Sequence, residues 1–538
     1  MNKIITLIFI CLLILIPFQA FVEASKEKIL FIPHDARPIS FHQTAEVVEQ
    51  LGYDIVTPPE EFFGGKEDYM GQPNELWQWL EDNINTANVA VIASDSLFYG
   101  GLIPSRKHEI PQSIIDDRLE RFKALQLKNP NLKIYVFTSL MRTPKEGTAG
   151  FTEEPNYYVN YGSKIFNLTA LIDKKDISCL NEIDEQKLAE LKNSIPSEFL
   201  NDWFERREKN LNVTKQFIDL VNQGVINYLI VGRDDNSPLC QTHKENRELK
   251  EYAAKYNIPK EKFQSLAGID EFGLLLLTRA VNDLRGETPT VNVKFNKGKG
   301  AKTIPAFSDE EIGKSIEESV IIAGGKMVDD PNSADFVLLV NTDPNGKTYQ
   351  PHNALPSDMI KLDQKKFEQN AKKFSNMVNE YISAGYSVGI ADIIFANGSD
   401  NALMKNLYQK GLLLKLQAYS GWNTATNSSG FVIGTGILAK HMSNNSKDKL
   451  LMRRYLDDWA YQANVRTMLG EQLFNSREGG AVYYNLGSKA QDVEDRVTFL
   501  MREFAAKNLP PSDLLNDFYV TLPWNRMFEC EINFKTNN

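Results

Sequence analysis

The sequence is poor in the residues that form metal centres and disulfide frameworks. Its 538 residues include four cysteines and six histidines, all widely spaced. No pair of cysteines has metal-ligand spacing, and neither a His-Glu-x-x-His motif nor an EF-hand loop occurs. Beyond the first residues, at most one disulfide can form, among Cys179, Cys240 and Cys530. We therefore expect the fold to rest on buried apolar cores, for which a chain of this length has ample material.

A concentrated positive charge is also missing. The formal net charge is -10, and the lysines and arginines are scattered along the chain. A protein that binds nucleic acid usually presents a basic stripe to the phosphate backbone. Nucleic acid is therefore not an expected partner.

Long apolar runs are absent except at the start of the chain. Lys3 precedes an apolar run over residues 4–16, followed by Pro17 and by a small-residue ending before Ser25. This arrangement is typical of a secretory signal peptide, predicted here over residues 1–24. An uncleaved anchor is the alternative, because weak apolar character continues to Val22. We expect a secreted, extracytoplasmic protein with no stable membrane insertion after signal cleavage.

From Lys28 onward, short apolar runs alternate with amphipathic helical patterns. The runs are rich in Leu, Ile and Val, as are strands that are covered on both faces of a parallel sheet. Clear examples are Val89–Ala93, Lys133–Thr138 and Tyr228–Val231. The pattern predicts an α/β fold with mostly parallel strands in two doubly wound halves. A single (βα)8 barrel with insertions is the alternative, because eight or nine strands can be counted either way.

The predicted domains follow from breaks in this alternation. Gly286 and Pro289 fall together after a completed unit, so we place a boundary near residue 287. The predicted N-terminal α/β domain is 25–287, with a helical insertion at 153–224 over the cleft. A second α/β domain covers 288–442, and a helical C-terminal region covers 443–538 and packs across the α/β core.

One stretch in each predicted half looks alike. Residues 332–343, Asn-Ser-Ala-Asp-Phe-Val-Leu-Leu-Val-Asn-Thr-Asp, mirror residues 85–95, Asn-Thr-Ala-Asn-Val-Ala-Val-Ile-Ala-Ser-Asp. The likeness suggests two similar halves. The alternative is that any two buried parallel strands share such a pattern.

Carboxylates follow two of the predicted strands and are the catalytic candidates. Asp234 and Asp235 come just after Tyr228–Val231, and Asp270 and Glu271 follow the next strand. Adjacent side chains on an extended segment point to opposite sides, so one of Asp234 and Asp235 is expected to face the cleft. Strand ends of a parallel sheet meet at one edge, which brings these carboxylates together. In such a pair, one carboxyl group can act as the acid and the other as the base or the nucleophile, and hydrolysis of a glycosidic bond requires these two roles.

The alternative role of these carboxylates is structural, in capping helices and pairing with Arg106, Arg142 and Arg279. Arginines also stand at strand ends, where guanidinium groups could clamp a carboxylate or phosphate of the ligand. Four such groups would favour an anionic substrate; otherwise they neutralise the aspartates. The arginines concerned are Arg37, Arg106, Arg142 and Arg233.

Aromatic and amide side chains cluster in the segment that begins at Ala418. Aromatic faces stack on the C–H groups of sugars while amides bind hydroxyls, although a Trp near a strand end can equally belong to the core. A second polar loop precedes this segment, with Gly398 permitting a tight turn. The remaining substrate-binding candidates are Asp35, Asp95, Asn397, Asp400, Tyr419, Trp422, Asn423 and Asn427.

Several of these segments together resemble a family. They are Ile32-Pro-His-Asp-Ala-Arg-Pro38, Tyr99-Gly-Gly-Leu102, Gly232-Arg-Asp-Asp235, Gly268-Ile-Asp-Glu271 and Ala418-Tyr-Ser-Gly-Trp-Asn-Thr424. From residue 28 to 442, the chain resembles a bacterial family catalogued as domain of unknown function 4127. It departs from the family pattern at His34, where that pattern has a small or acidic residue. The resemblance implies a shared fold and a shared pocket, and it carries no activity.

The sequence therefore favours a secreted, glycosidase-like hydrolase that acts on a glycan, such as a cell-wall polymer or exopolymer. Its catalytic carboxylates would be Asp234 or Asp235 with Asp270 or Glu271, and no cofactor is required. One alternative is a metal-dependent hydrolase of phosphoester or amide bonds. Its Mg²⁺ or Ca²⁺ would be held by Asp35, Asp95, Asp234 and Asp235. Another is a non-catalytic extracellular sugar-binding protein. The expected partner is a small-molecule or glycan substrate, and no oligomeric state is predicted.

Overall fold

The computed structural model describes residues 27–64, 70–145, 153–349, 364–474 and 481–535. The predicted signal peptide lies outside the described residues. Within them, no helix is both long and apolar enough to cross a bilayer. All three cysteines beyond residue 24 are unpaired thiols, and only Cys179 is exposed.

The first half is built on a sheet of six parallel strands. Its order is β2-β1-β3-β4-β5-β6. The central strands are buried from end to end because helices cover both faces, which explains their continuous apolar sequence. The strands are β1 (Lys28–Ile32), β2 (Asp54–Val56), β3 (Val89–Ala93), β4 (Lys133–Leu140), β5 (Tyr228–Arg233) and β6 (Phe263–Ala267).

The second half is built on a separate sheet of five parallel strands, in the order β11-β10-β9-β7-β8. The first sheet ends before residue 287 and the second begins after it. The prediction of two doubly wound halves is confirmed, and the barrel alternative is wrong because the described parallel strands form two separate open sheets. The strands are β7 (Thr290–Phe295), β8 (Lys326–Met327), β9 (Phe336–Asn341), β10 (Val388–Asp392) and β11 (Ala418–Ser420).

The two sheets share one strand order. Counted from its own first strand, each runs 2-1-3-4-5, and the first sheet adds a sixth strand at its edge. The two look-alike stretches contain β3 and β9, which occupy the third position in their sheets. This correspondence agrees with the suggestion of two similar halves. In this order, the chain reverses direction across the sheet between strands 1 and 3, and ligands bind beyond the carboxyl ends there.

The helices fall into four groups. The first half has His42–Glu49, Pro73–Asn83, Ser94–Tyr99, Leu102–Ser105, Gln112–Lys128, Gln241–Ala254 and Phe272–Arg285. The predicted insertion between β4 and β5 has Tyr158–Ile177, Glu182–Asn193 and Ser197–Asn222. The second half has Ile312–Ile322, Gln364–Ser383, Asn401–Gln409 and Ala425–Leu438. The C-terminal region has Asn444–Arg454, a π-helix over Tyr455–Val465, then Arg466–Phe474, Ala481–Tyr484 and Ala490–Asn508.

The C-terminal region is helical as predicted, but its end is not. Phe518–Thr521 (β12) and Glu531–Phe534 (β13) pair as an antiparallel hairpin. Phe518 and Val520 point inward while Tyr519 is exposed, which is the two-residue alternation of a half-buried strand. The loop between β12 and β13 returns to the α/β core.

One helix of the second half locks the two halves together. Every residue of Ala425–Leu438 is buried, and the helix packs on Phe272–Arg285 of the first half. Two glycines allow this close approach, since a Cβ at Gly430 would lie 2.5 Å from Glu271 and one at Gly434 would lie 2.7 Å from Leu274. The same apolar core therefore runs through both halves.

Candidate functional site

A cavity of about 320 Å³ opens where the carboxyl ends of the two sheets face each other. This volume is at the lower end of the range for small-molecule sites, roughly 300–1,000 Å³. Polar residues that follow strands of both halves line it. From the first half these are Asp35, Arg37, Arg106, Arg142, Asp234, Asp235 and Asp270, and from the second half Asn397, Asn423 and Thr424.

Unfavourable backbone conformations concentrate at this cavity. Six described residues other than glycine have positive φ, and four of them line the cavity: Asp235, Phe307, Asn397 and Trp524. A left-handed conformation costs a side-chain-bearing residue about 1–3 kcal/mol, and it persists where the surrounding structure enforces it. Strain of this kind is typical of ligand sites.

Asp270 is the most heavily hydrogen-bonded carboxylate in the cavity. Arg37 Nη2 lies 2.5 Å from its Oδ1, and His34 Nε2 lies 3.2 Å from the same oxygen. Asn423 and Asn427 each donate an Nδ2–H to Oδ2, both at 3.2 Å. Burial alone would raise the pKa of Asp270, but the charge of Arg37 and the contacts with His34 hold that pKa well below its usual range. The carboxylate is therefore ionised.

The pKa of Asp235 is shifted in the opposite direction. Its Oδ2 accepts a 2.7 Å hydrogen bond from Arg142, and Asp234 accepts one of 2.6 Å from Arg106. Burial, and then the charge of Asp234, raise the pKa of Asp235 to about 6 in spite of Arg142 and Arg106. Asp235 thus holds its proton to a higher pH than an ordinary Asp.

Both members of this adjacent pair line the cavity, so the expectation that only one of them would do so is wrong. β5 ends at Arg233, and Asp235 has a φ of 41°. The chain turns at this point instead of continuing as a strand. The alternation of an extended segment therefore does not apply to Asp234 and Asp235.

The insertion adds two acidic residues that the sequence-based prediction of the site did not include. Glu153 contacts Arg142 at 2.9 Å, Arg526 at 3.2 Å and Arg106 at 3.4 Å. Although burial opposes it, the charges of these arginines lower the pKa of Glu153 to about 2. Glu154 accepts a 2.6 Å hydrogen bond from Arg142. The sequence did contain a signal for these two residues, because they are adjacent acidic residues at the start of an insertion predicted to cover the cleft.

The loop between β12 and β13 supplies another wall of the cavity. It contributes Trp524, Arg526 and Phe528. The guanidinium carbons of Arg37 and Arg526 lie 5.8 and 4.6 Å from the centre of the Trp524 ring. Trp524 is not among the residues that the sequence predicted for the site, because nothing local connects it to strand ends several hundred residues earlier.

Three predicted site residues from the first half do not reach the cavity. Asp95 accepts hydrogen bonds from Ser139 and Thr138 and so joins β3 to β4. Arg233 turns the other way and pairs with Asp309 and Glu310. Neither side chain is part of the cavity lining.

Glu271 is the third, and its predicted place among the carboxylates of the cavity is not what the structure shows. It is fully buried behind Asp270, and neither carboxylate oxygen has a hydrogen-bond partner among the described residues. Burial, together with Asp270 and Asp234, raises the pKa of Glu271 well above its usual range. It lies against Gly268 and Gly430, where the two halves meet.

Four predicted residues of the second half also lie outside the cavity lining. Trp422 is 2% exposed and packs on Phe528, so it offers no face to a ligand. The Tyr419 hydroxyl donates to Asp392, and Asp400 caps helix Asn401–Gln409. Asn427 lies one layer back, where it donates to Asp270. The exposed aromatic side chain at the cavity is instead Phe307, at 42%.

The carboxylates predicted to hold a metal ion make other contacts in the described part of the chain. No three His, Cys, Asp or Glu side chains converge there in a way that could hold an ion. Asp35, Asp234 and Asp235 line the cavity, but each gives oxygen atoms to an arginine, and Asp95 is tied to β4. These oxygens are the ones a hard cation would need.

Together, these features define a two-lobed α/β protein with a polar, mixed-charge cavity between the carboxyl ends of its two parallel sheets. The chain belongs to the family described as "Protein of unknown function (DUF4127)", whose model matches residues 29–533. The match extends past residue 442 and so includes the hairpin loop that carries Trp524 and Arg526. A comparison with curated proteins finds no match.

Proposed function

We propose that the protein is an extracytoplasmic hydrolase of a glycan, in which Asp235 gives a proton and Asp270 acts as the ionised carboxylate. The observation that carries this proposal is that two carboxyl groups lining one cavity have pKa values shifted in opposite directions. Environments that push the pKa values of two carboxyl groups apart assign the acid and the base. Hydrolysis of a glycosidic bond needs this division of roles.

In the proposed reaction, Asp235 protonates the oxygen of the leaving sugar as the glycosidic bond breaks. Positive charge then develops on the ring that remains, and the Asp270 carboxylate stabilises it. Water supplies the new hydroxyl group, and its released proton restores Asp235. Arg37 and His34 keep Asp270 ionised throughout, since they contact the carboxylate before substrate arrives.

The rest of the lining suits a sugar. Asn397 and Asn423 place amide groups at the cavity, and Phe307 offers a partly exposed ring on the side of the second half. The backbone oxygen of Phe307 accepts a 3.2 Å hydrogen bond from the Asn236 amide, which ties this ring to the loop that carries Asp235. Stacking on the C–H face of a sugar is therefore assigned to Phe307 in place of Trp422.

Export is proposed from the sequence of residues 1–24 alone. We expect the mature protein to begin at Ser25. N-terminal sequencing of protein recovered outside the cytoplasm tests this expectation. A chain that retains residues 1–24 and sediments with membranes would favour the uncleaved anchor.

The hydrolase is tested by screening glycan and cell-wall polymer libraries with the wild type, Asp235→Asn and Asp270→Asn. Wild-type protein should release reducing sugar from at least one polymer, and both variants should lose that release. The matched control is Asp54→Asn, because Asp54 is an exposed aspartate on β2 that does not line the cavity. Release that persists in both site variants would exclude the proposed mechanism.

One observation favours a second function, that of a non-catalytic sugar-binding protein. Both oxygens of Asp270 already accept hydrogen bonds, from His34 or Arg37 on one side and from two amides on the other. A carboxylate so engaged is well suited to fix a ligand-binding wall. Ligand-dependent thermal stabilisation without any turnover would support this function over hydrolysis.

A further inference from the structure

The arginines of the cavity are already committed to carboxylates. Arg142 binds three of them, with nitrogen–oxygen distances of 2.6 Å to Glu154, 2.7 Å to Asp235 and 2.9 Å to Glu153. Arg106 binds Asp234 at 2.6 Å and Glu153 at 3.4 Å. An anionic ligand would therefore have to compete with carboxylates that are part of the protein.

The other two arginines are engaged in the same way. Arg37 holds Asp35 at 2.8 Å and Asp270 at 2.5 Å. Arg526 contacts Glu153 and pairs with Glu529. Both guanidinium groups also lie over the ring of Trp524. None of the four arginines is held ready for a ligand carboxylate or phosphate, as the positions of Arg37, Arg106 and Arg142 at strand ends had suggested.

Carboxylates, in contrast, are in excess. Among the described residues, six carboxyl groups and four guanidinium groups line the cavity: Asp35, Glu153, Glu154, Asp234, Asp235 and Asp270 against Arg37, Arg106, Arg142 and Arg526. With Asp235 protonated, five carboxylates still face four guanidinium groups. The side chain of Asp234 is 19% exposed, and its Oδ1 accepts no hydrogen bond from the described residues. The Oε2 atom of Glu154 is buried and likewise has no partner among them. The cavity thus offers acceptors with negative charge.

From this imbalance we infer that the sugar bound here carries a protonated amine. An ammonium group brings three N–H donors and one positive charge, which match the open oxygen of Asp234 and the surplus carboxylate. A ligand carboxylate would lose its hydration, add to the surplus of negative charge, and have to displace protein carboxylates from the four arginines. The substrate class is therefore a glycan with free amino groups, such as a glucosamine polymer. This inference rests on the proposed function, since it names the substrate of the same site.

The two carboxyl groups of the Asp234–Asp235 pair then have different tasks. Asp234 binds the ammonium group through Oδ1, while Asp235 keeps its proton for the leaving oxygen. Asp234 is a binding residue in this scheme, so replacing it should weaken selection for the amine more than it affects neutral sugars. Loss of a purely structural residue would instead weaken the binding of amino sugars and neutral sugars alike.

The experiment measures binding by calorimetry with three oligosaccharide series of equal length, namely glucosamine, N-acetylglucosamine and glucuronic acid oligomers. The glucosamine series should bind wild-type protein at least about tenfold more tightly than the N-acetylated series, as one charge-assisted contact allows. The glucuronic acid series should bind most weakly. Equal binding of the amine and N-acetyl series, tighter binding of the acid series, or no binding of any series would overturn the inference.

Two variants locate the contact. Asp234→Asn should remove most of the preference for the amine, while Asp54→Asn should retain it. If Asp234→Asn does not fold, the comparison of the three series on the wild type alone decides. Turnover of N-acetylated and amino polymers at equal rates would contradict the preference for an amine but not the proposed hydrolase. Selective binding of the amine without any turnover would support that preference and contradict the proposed hydrolase.

Discussion

Glu153 and Arg526 are 373 positions apart in the chain and form a buried ion pair of 3.2 Å at the wall of the cavity. Glu153 begins the insertion of the first half, and Arg526 lies in the loop between β12 and β13. Glu153 also contacts Arg106 and Arg142, which follow strands of the first sheet. An ion pair between the insertion of the first half and the C-terminal hairpin loop thus forms part of the cavity wall.

Replacing Arg526 should destabilise the protein and loosen this wall. Arg526→Met leaves Glu529, which is 2% exposed, as a buried carboxylate without its main partner. Loss of one member of a buried pair costs about 3–5 kcal/mol. Chemical denaturation should show a decrease of that order in the free energy of unfolding.

The double variant Arg526→Met/Glu529→Gln is the control for this effect. It removes the stranded charge and should recover a large part of the lost stability. No recovery would mean that Arg526 stabilises the fold through the Trp524 ring instead of through charge.

Activity should fall as pH rises through about 6. Asp235 must carry its proton to act as the acid, and burial and Asp234 raise its pKa to about 6. Asp270 stays ionised to far lower pH, because Arg37 and His34 hold its pKa well below the usual range. The optimum of kcat/KM should therefore lie on the acid side of this value. A rate that increases through pH 6 would contradict the assignment of Asp235 as the acid.

Asp235→Asn should lower kcat by about 10²–10⁴-fold, which is the usual contribution of a general acid. It should also abolish the decrease in rate near pH 6. The residual pH profile distinguishes loss of the acid from general damage, since damage alone would lower the rate and leave the profile in place.

Phe307→Ala should raise KM by about tenfold and leave kcat nearly unchanged, because it removes ring stacking that ground state and transition state share. Phe307→Tyr should retain the wild-type KM. Tyr256→Ala is the matched control, since Tyr256 is a similarly exposed aromatic residue that does not line the cavity. An unchanged KM in Phe307→Ala would mean that Phe307 does not stack on the substrate, and the aromatic residues of the hairpin loop would then be the next candidates.

Glu271→Gln should stabilise the protein more as pH rises. The folded-state pKa of Glu271 is raised well above 4.5 by burial and by nearby Asp270 and Asp234. A group with a raised folded pKa contributes stability that is fully present below its unfolded pKa and is lost at higher pH. Glutamine loses no such stability. The difference in Tm should be small at about pH 4 and favour the variant at about pH 8.

A glutamate with the opposite shift is the control for Glu271. Hydrogen bonds from Lys440, Arg285 and His441 lower the pKa of Glu287 to about 2. Glu287→Gln should therefore be less stable than the wild type near neutral pH, and the difference should shrink as pH falls. The same pH trend in both variants would show that the Glu271 result does not come from burial.

The location of the site could be predicted because parallel strands deliver their following residues to one edge. Asp35, Asp234, Asp235 and Asp270 were found by that rule alone, and all four line the cavity. The rule identifies the loop but not the direction of each side chain. Arg233 and Trp422 illustrate this, since each stands beside cavity residues in the chain and points elsewhere.

The missing parts of the site depend on tertiary contacts that have no local pattern. Arg526 reaches the cavity only because the chain returns through a hairpin at its end. Phe307 is positioned by a hydrogen bond from Asn236 in the other half. The left-handed backbone of Asp235 also gave no local signal, because Asp tolerates that conformation without requiring it.

The buried helix Ala425–Leu438 sets a limit on how the cavity can exchange its contents. Val432, Ile433 and Ile437 are at most 1% exposed, and they belong to a core shared with the first half. Swinging the two halves apart would expose to water the apolar face with which this helix packs on Phe272–Arg285. Substrate and product should therefore enter and leave through an opening of constant width. Side chains of the insertion and of the loop between β12 and β13 set that width.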